Sequence, residues 1–307
     1  MVRAYCKDSL RKPVKLCYTK YTEKQRKGEN LVENVEKVKR SLIKSGVENY
    51  GFCSFSAVSN RLISCRAKAR LPIGARSVIC AAFPYHIALS KRNISRYAVV
   101  ADYHTVVLAR LQTATKRLQE AFCGYSFAPF SDNSPIPEVR AAVLCGLGVK
   151  GDNGLFIHPR YGSWVFLGEI VTDLPLPAAK PQKQDCLHCG LCEKKCPAGA
   201  IHGGALDESR CLSAVTQKKG ELSPEEQALI QANGLAWGCD GCQECCPLNA
   251  RAKQTDIEEF LHSAVGVITP DDVSRRKDRA FLWRGEGVIR RNLRILAGES
   301  EQTSQIK

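Results

Sequence analysis

Length, composition and charge limit the classes to which this chain can belong. Its 307 residues, 44% hydrophobic and 25% charged, are typical of a globular protein with one large or two modest domains. No apolar run reaches the roughly 18 residues of a membrane-spanning helix, and the N-terminus lacks a secretion signal, so we expect a cytoplasmic protein outside membranes. Sixteen cysteines without such a signal fit a reducing compartment. The formal charge of +14 favours an anionic partner such as nucleic acid, although a solvated basic surface gives the same sum.

The first half of the chain alternates between helical and extended patterns. Residues 1–30 are basic without apolar periodicity, which predicts a flexible arm or sequence upstream of the true start. The patterns that follow predict a helix from Leu31, strands at Tyr50–Phe55 and Ser77–Phe83, a helix capped by Asp102, a strand at Tyr125–Phe130, a helix from Pro137 to about Cys145, and strands at Leu155–Ile157 and Trp164–Val171. Residues 31–178 are therefore predicted to form a first domain of α+β or α/β class.

The proline-rich stretch Leu174–Pro181 marks the predicted boundary to a cysteine-rich domain at 179–255. Within that domain, the segment that begins at Ser223 has the signature of a capping box with proline at the first helical position. The last segment, 256–307, is predicted to be helical. Its basic residues are Arg275, Arg276, Lys277, Arg279, Arg284, Arg290, Arg291 and Arg294. These side chains form either a solvated face or a surface that faces RNA.

Eight cysteines of the second domain have the spacing that binds two 4Fe-4S clusters. The first run follows the bacterial ferredoxin pattern, in which the fourth cysteine binds the other cluster, and the second run needs Cys211 to complete its set. One predicted set is Cys186, Cys189, Cys192 and Cys246, and the other is Cys196, Cys211, Cys239 and Cys242. Cys245 is the alternative to Cys246, but Cys246-Pro247 mirrors Cys196-Pro197. Two structural zinc sites are the alternative chemistry for these thiols.

The first domain has neither of two common nucleotide-binding signatures. The sequence contains no G-x-G-x-x-G after a predicted strand and no Walker A motif. The glycine-rich run Gly146–Gly151 fits either a tight turn or a close approach of the backbone to a large planar cofactor. Because a ferredoxin needs only the cluster domain, we expect the clusters to deliver electrons to a site in the first domain.

Several motifs, taken in order, resemble the epoxyqueuosine reductase family. They are Ser95–Tyr97 with Asp102–His104, Ser131–Glu138 running into Arg140–Gly148, Tyr161–Glu169 and Gly238–Gln243. The resemblance extends over about residues 35–295. Many proteins share the cysteine runs, so the segments around Asp132 and Gly162-Ser163-Trp164 are the most discriminating parts.

The resemblance implies an α+β fold, in which an α/β-like cobalamin-binding domain precedes a ferredoxin-like domain with two 4Fe-4S clusters. It implies an oxidoreductase that converts epoxyqueuosine in tRNA to queuosine and binds cobalamin without a lower axial side-chain ligand. Asp132 matches the family's proton donor, and we expect burial to raise its pKa; an ordinary Asx-turn is the alternative. The residues expected by resemblance to contact cobalamin are Tyr97, Tyr103, His104, Leu155, Phe156, Ile157, Gly168 and Asp240.

The sequence leaves two other functions open. One is a reductive dehalogenase-like enzyme with the same cofactors and a different substrate. The other is a non-catalytic electron carrier, suggested by Asp152 and Ala214, where the family has a basic and an aromatic residue. By resemblance we expect a short family member without the C-terminal helical repeats. Its expected partners are tRNA and an electron donor such as ferredoxin or flavodoxin, and we expect a monomer.

Overall fold

A four-stranded antiparallel sheet lies at the centre of the computed structural model, which describes residues 31–180, 182 and 185–299. The arm predicted at 1–30 lies outside these described residues. The strands are β1 (Asn49–Ser54), β2 (Ser77–Pro84), β3 (Phe127–Phe130), β4 (Val149–Lys150), β5 (Phe156–Ile157), β6 (Val165–Thr172), β7 (Ile201–His202) and β8 (Ala205–Leu206). The central sheet has the order β1-β2-β6-β3, and the short strands pair as β4-β5 and β7-β8.

Helices surround this sheet and build the cysteine-rich and C-terminal parts. The α-helices are α1 (Leu31–Ile43), α2 (Ser56–Ser59), α3 (Arg96–Val99), α4 (Tyr103–Ala121), α5 (Glu138–Leu144), α6 (Leu191–Lys194), α7 (Leu212–Val215), α8 (Pro224–Asn233), α9 (Gly241–Glu244), α10 (Glu258–Ser263), α11 (Pro270–Arg275) and α12 (Glu286–Ala297). Short 3-10 helices lie at Arg66–Arg70, Pro247–Asn249 and Ala280–Arg284. Within the described residues, no helix combines the length and the apolar character needed to cross a bilayer.

Both faces of strand β2 are buried because helices cover the sheet on both sides. Ile79, Ala81 and Phe83 belong to a core that α1 and α4 share, whereas Val78 and Cys80 belong to a second core that includes α5. This division follows from the alternation of side chains along a strand. The antiparallel sheet with its separate helices confirms the prediction of an α+β fold.

Helix α4 carries predicted site residues at its first turn and packs on the sheet with its middle. Asp102 is its N-cap, as predicted, and accepts a hydrogen bond from the His104 amide at 3.0 Å. Further along, Leu111 and Val107 approach Gly168 of β6 so closely that an added Cβ would lie 2.7 Å from the Leu111 side chain. Gly168 therefore allows close packing of helix on sheet, and the contact with cobalamin expected for it stays a prediction.

The C-terminal helices bury their apolar faces against both predicted domains. Phe260 and Phe281 belong to the same core as the sheet, whereas Ile295 packs in a small cluster with residues of α7 and α8. Asn292 is fully buried, and its side-chain amide donates to two main-chain carbonyls at 2.7 Å. These contacts cross the domain boundary predicted at residue 255. The domain limits at residues 178 and 255 stay predictions.

The basic C-terminal segment was expected to form either a solvated face or a surface that faces RNA, and Arg279 does neither. Its side chain is buried and donates to the main-chain carbonyls of Val99, at 2.8 Å, and of Ser263. A guanidinium has five donors and no acceptor, so carbonyl groups are suitable partners for it inside a protein. Arg279 is therefore part of the core, neither on a solvated face nor on a surface available to RNA.

Candidate active site between the sheet and the cysteine runs

A cavity of about 560 Å³ lies where the sheet meets the cysteine runs. Four of the predicted cluster ligands line it, namely Cys196, Cys211, Cys239 and Cys242. Asp132 lies in the same wall, together with aromatic side chains of the first domain. The predicted proton donor and one complete cysteine set therefore border a single chamber.

The other predicted cysteine set surrounds a separate, much smaller cavity. Its wall contains Cys186, Cys189, Cys192 and Cys246. The thiol of Cys245 instead contacts the carbonyl oxygen of Cys242 at 3.6 Å. Two groups of four thiols, each around its own cavity, have the donor chemistry of two 4Fe-4S clusters, and they fit the predicted division of the ligands.

Asp152 and His188 border the first cysteine set. His188 Nδ1 lies 2.9 Å from Asp152 Oδ1, and both groups are close enough to the Cys186 thiol to form a possible metal-binding trio. Because Cys186 is one of the four thiols around the small cavity, we interpret this trio as the edge of the cluster site.

The segment Gly162-Ser163-Trp164 attaches the second cysteine run to the sheet. Ser163 donates from its amide to Asn249 Oδ1 at 2.7 Å and from its hydroxyl to Gln243 Oε1 at 2.9 Å. Gly162 has a φ of +62°, and an added Cβ would lie 2.1 Å from Asn249 Oδ1. Only glycine fits there without displacing Asn249, which gives a physical reason for this motif.

Asp240 lies behind the second cysteine run, outside the cavity wall. Its buried carboxylate accepts from Arg92 Nη1 at 2.6 Å and from the Arg96 amide at 2.9 Å. Burial raises the pKa of Asp240, and Arg92 opposes that effect. Asp240 therefore anchors the cysteine run to the first domain, and the contact with cobalamin expected for it stays a prediction.

The large cavity has a mostly apolar and aromatic wall, against which the face of a planar cofactor can pack. Tyr97, Tyr103, Leu155 and Phe156, four of the residues expected to contact cobalamin, line it, whereas Ile157 lines the small cavity. Tyr103 stacks on Phe166 with ring centroids 4.2 Å apart.

Beside this cavity, Asp102, His104 and Asp132 form a hydrogen-bonded chain. His104 Nδ1 lies 2.7 Å from Asp102 Oδ1, and its Nε2 lies 3.0 Å from Asp132 Oδ2. The hydrogen bonds that the imidazole donates to Asp102 and then to Asp132 raise the pKa of His104 to about 9. The imidazole is therefore protonated at neutral pH and holds a proton next to Asp132.

The pKa of Asp132 is lowered, which corrects the expectation that burial would raise it. The hydrogen bond from His104 is the main cause and outweighs the effect of burial, since the Asp132 side chain is 55% exposed. Its φ of +61° is unusual for a residue other than glycine, and such conformations concentrate at functional sites. At neutral pH the His104–Asp132 pair therefore holds one proton, which lies on the imidazole.

Replacing Asp132 by asparagine should lower the pKa of His104 from about 9 while leaving it above its ordinary value, because Asp102 remains. Since the folded pKa is raised, the ion pairs stabilise the fold fully below the ordinary pKa of about 6.5, and this stability is lost as pH rises through about 9. Titration of the His104 ring signals by NMR measures this change. An unchanged His104 pKa in the variant would contradict the chain of hydrogen bonds.

Two carboxyl groups near the Asp132 segment, Glu169 and Glu138, were not predicted from the sequence as site residues. Glu169, within β6, is fully buried and accepts from the Ser134 hydroxyl at 3.0 Å. Glu138 begins α5, and its Oε1 is buried. Burial raises the pKa of both, that of Glu138 to about 8. A lone acid in an apolar strand was the available signal for Glu169, whereas Glu138 resembles an ordinary first-turn acid.

Comparisons with known proteins agree with this arrangement. The family model described as epoxyqueuosine reductase QueG, DUF1730, matches residues 66–133, and that of a 4Fe-4S double cluster binding domain matches residues 185–249. An epoxyqueuosine reductase of Gloeobacter violaceus is 33% identical over 247 residues, which are 74% of this chain and 77% of that protein. One of Aliivibrio fischeri is 37% identical over 69% of this chain, but the chain spans only 60% of that protein's length.

A solved structure shows the same fold. It is an epoxyqueuosine reductase with an epoxyqueuosine-modified tRNA-Tyr stem loop, with a TM-score of 0.74 at 24% identity, covering 88% of this chain and 82% of that one. The extent of the match to the Gloeobacter violaceus protein, together with the family model over 66–133, decides the classification. This chain belongs to the epoxyqueuosine reductase family.

Proposed function

We propose that this protein uses cobalamin and two 4Fe-4S clusters to reduce epoxyqueuosine in tRNA to queuosine. The observation that best supports the proposal is the single cavity bordered by Asp132 and by a complete cysteine set. A substrate bound in this cavity would lie next to both an acid and a source of electrons.

Loss of the epoxide oxygen as water consumes two electrons and two protons. Cobalamin, held against Tyr97, Tyr103, Leu155 and Phe156, would supply the cobalt chemistry for breaking the carbon–oxygen bond. The chain itself would provide the protons. The His104–Asp132 pair lies at hydrogen-bond distance, with its proton stored on His104, and Asp132 is the member that lines the cavity. Proton transfer from such a positioned acid is general acid catalysis.

The two cysteine sets suggest a direction for electron flow. The first set includes the exposed Cys189, whereas the second lines the large cavity. A soluble donor such as ferredoxin or flavodoxin would thus deliver electrons at the first set, and they would leave from the second. A monomeric protein in the cytoplasm would be accessible to such a soluble donor.

Trp283 and Arg284 form a candidate contact for the tRNA at the mouth of the cavity. Trp283 is 57% exposed and donates from its indole nitrogen to Gln217 Oε1 at 3.2 Å. The Arg284 guanidinium lies 3.6 Å from the Trp283 ring centroid, and Gln217 and Arg284 both line the cavity. An exposed aromatic ring beside a cation suits an unstacked base with its phosphate.

Replacing Trp283 by alanine should weaken binding of a tRNA anticodon stem-loop by about tenfold, since stacking of one base on an aromatic ring contributes roughly 1–3 kcal/mol. Fluorescence anisotropy with a labelled stem-loop measures the change. Ile73→Ala, which truncates an exposed apolar side chain outside the cavity wall, is the matched control and should leave affinity unchanged. Equal affinity of the Trp283 variant and the wild type would exclude this contact.

The proposed function is tested by anaerobic reconstitution with iron, sulfide and cobalamin, followed by addition of an epoxyqueuosine-containing stem-loop. We expect about eight irons and one cobalamin per chain, and conversion of the nucleoside to queuosine in mass spectra. A protein with eight irons that binds no cobalamin would overturn the proposal. Bound cobalamin without conversion would mean that the substrate is a different one, for example an organohalide.

A further inference from the structure

Glu138 is a carboxyl group near Asp132 to which the mechanism above gives no task. It lines the large cavity and also a second, more open cavity of about 670 Å³, and Asp132 lines both as well. The main-chain amide of Asp132 hydrogen-bonds to the Glu138 carboxyl group. Among the described residues, no hydrogen-bond partner is present for Glu138 Oε1, although this atom is buried. An unpartnered buried carboxyl oxygen is costly unless the group is neutral or has a task.

We propose that Glu138 supplies the second proton of the reduction by reprotonating Asp132 after the His104–Asp132 pair has given up the first. This inference rests on the proposed function. In the step, the Glu138 hydroxyl hydrogen moves to the Asp132 carboxylate, Glu138 becomes a carboxylate, and Asp132 then protonates the departing oxygen to release water. The two electrons come from the clusters. Glu138 regains its proton from solvent through the second cavity.

The charges around Glu138 support a stored proton at neutral pH. Burial is the main reason that the pKa of Glu138 rises to about 8, and the negative charge of Asp132 raises it further. His104, which is cationic, opposes this effect. Glu138 in turn raises the pKa of Glu169 in β6, Cys80 in β2 and Tyr103 in α4, and none of these three neighbours is a cation. His104 is the cation that lowers the pKa of Glu138.

The alternative is that Glu138 only stabilises the first turn of α5. An acid at that position is favoured by the helix dipole, but the favoured form is the ionised one. An ionised glutamate would have both oxygens in water or in hydrogen bonds. The burial of Oε1 fits a neutral acid better than it fits a charged first-turn residue.

The first test measures protonation without any cofactor. Infrared titration of the apoprotein should show a protonated carboxyl signal that disappears as pH rises through about 8 and is missing in Glu138→Gln. Glu120→Gln, on the exposed side of α4, is the matched control and should keep the signal. If Glu138→Gln retains the full signal, Glu138 carries no proton and the inference fails.

The second test separates a proton carrier from a structural residue. In single turnovers of reconstituted enzyme, Glu138→Gln should be slower by about tenfold or more. The decline of the rate, which starts near pH 8 in the wild type, should move to about pH 9 in this variant, where His104 loses its proton. Glu138→Asp, which keeps the acid, should restore part of the rate and the decline near pH 8. A purely structural role would lower the rate of Glu138→Gln equally at every pH, and that result would overturn the inference. If wild-type enzyme converts no stem-loop, the proposed function fails, while the infrared titration still decides whether Glu138 holds a proton.

Discussion

Replacing Asp132 by asparagine should slow single-turnover conversion of the epoxyqueuosine stem-loop by roughly 10²- to 10⁴-fold, the usual contribution of a positioned general acid. The amide keeps the size of the carboxyl group but cannot accept the proton of His104 and pass it on. It also removes the negative charge that lies 3.0 Å from His104 Nε2. Rapid quenching followed by nucleoside analysis measures the rate constant for the chemical step.

The matched control for this prediction is Asp271→Asn, an exposed acid in α11. Cobalamin content and stem-loop affinity should stay at wild-type levels in both variants, because neither change alters the wall formed by Tyr97, Tyr103 and Phe156. A rate within threefold of the wild type for Asp132→Asn would show that the proton comes from elsewhere, and the roles assigned to His104 and Glu138 would then have to be revised.

Features that depend on neighbouring residues were predicted correctly from the sequence. The Ser223 side chain caps α8 through the Glu226 amide, with Pro224 at the first helical position, as predicted. The helix expected from Pro137 begins at Glu138 with Pro137 as its N-cap. Hydrogen bonds within one turn of helix decide these points, so a local pattern is sufficient to reveal them.

Features that depend on distant residues could not be predicted. The lowered pKa of Asp132 results from His104, which lies 28 positions earlier and on another element. Arg279 is buried because its partners are carbonyls of two other segments, which no pattern around Arg279 reveals. The chain order of the motifs indicated which residues belong to the site, but the electrostatics of the site follow from contacts that only the fold creates.

The choice between Cys245 and Cys246 can be decided by substitution. Cys246→Ala should lower the iron content of the reconstituted protein from about eight to about four per chain, because the first cluster loses one of its four ligands. Cys245→Ala should keep about eight, since the Cys245 thiol is directed at the Cys242 carbonyl, 3.6 Å away, and Cys246 lines the small cavity. Iron analysis and electron paramagnetic resonance of the reduced proteins measure both; the reverse pattern would make Cys245 the ligand.

The Cys246→Ala variant also tests the direction of electron flow. In Cys246→Ala the second cysteine set is intact, and it borders the cavity that contains Asp132. Reduction by a protein donor should therefore be lost, because entry at the first set is broken, while a small chemical reductant should still reduce the remaining cluster. Turnover in Cys246→Ala at the wild-type rate with ferredoxin or flavodoxin would mean that electrons enter directly at the second set. The first set would then be outside the electron path, and the exposed Cys189 would no longer indicate where the donor binds.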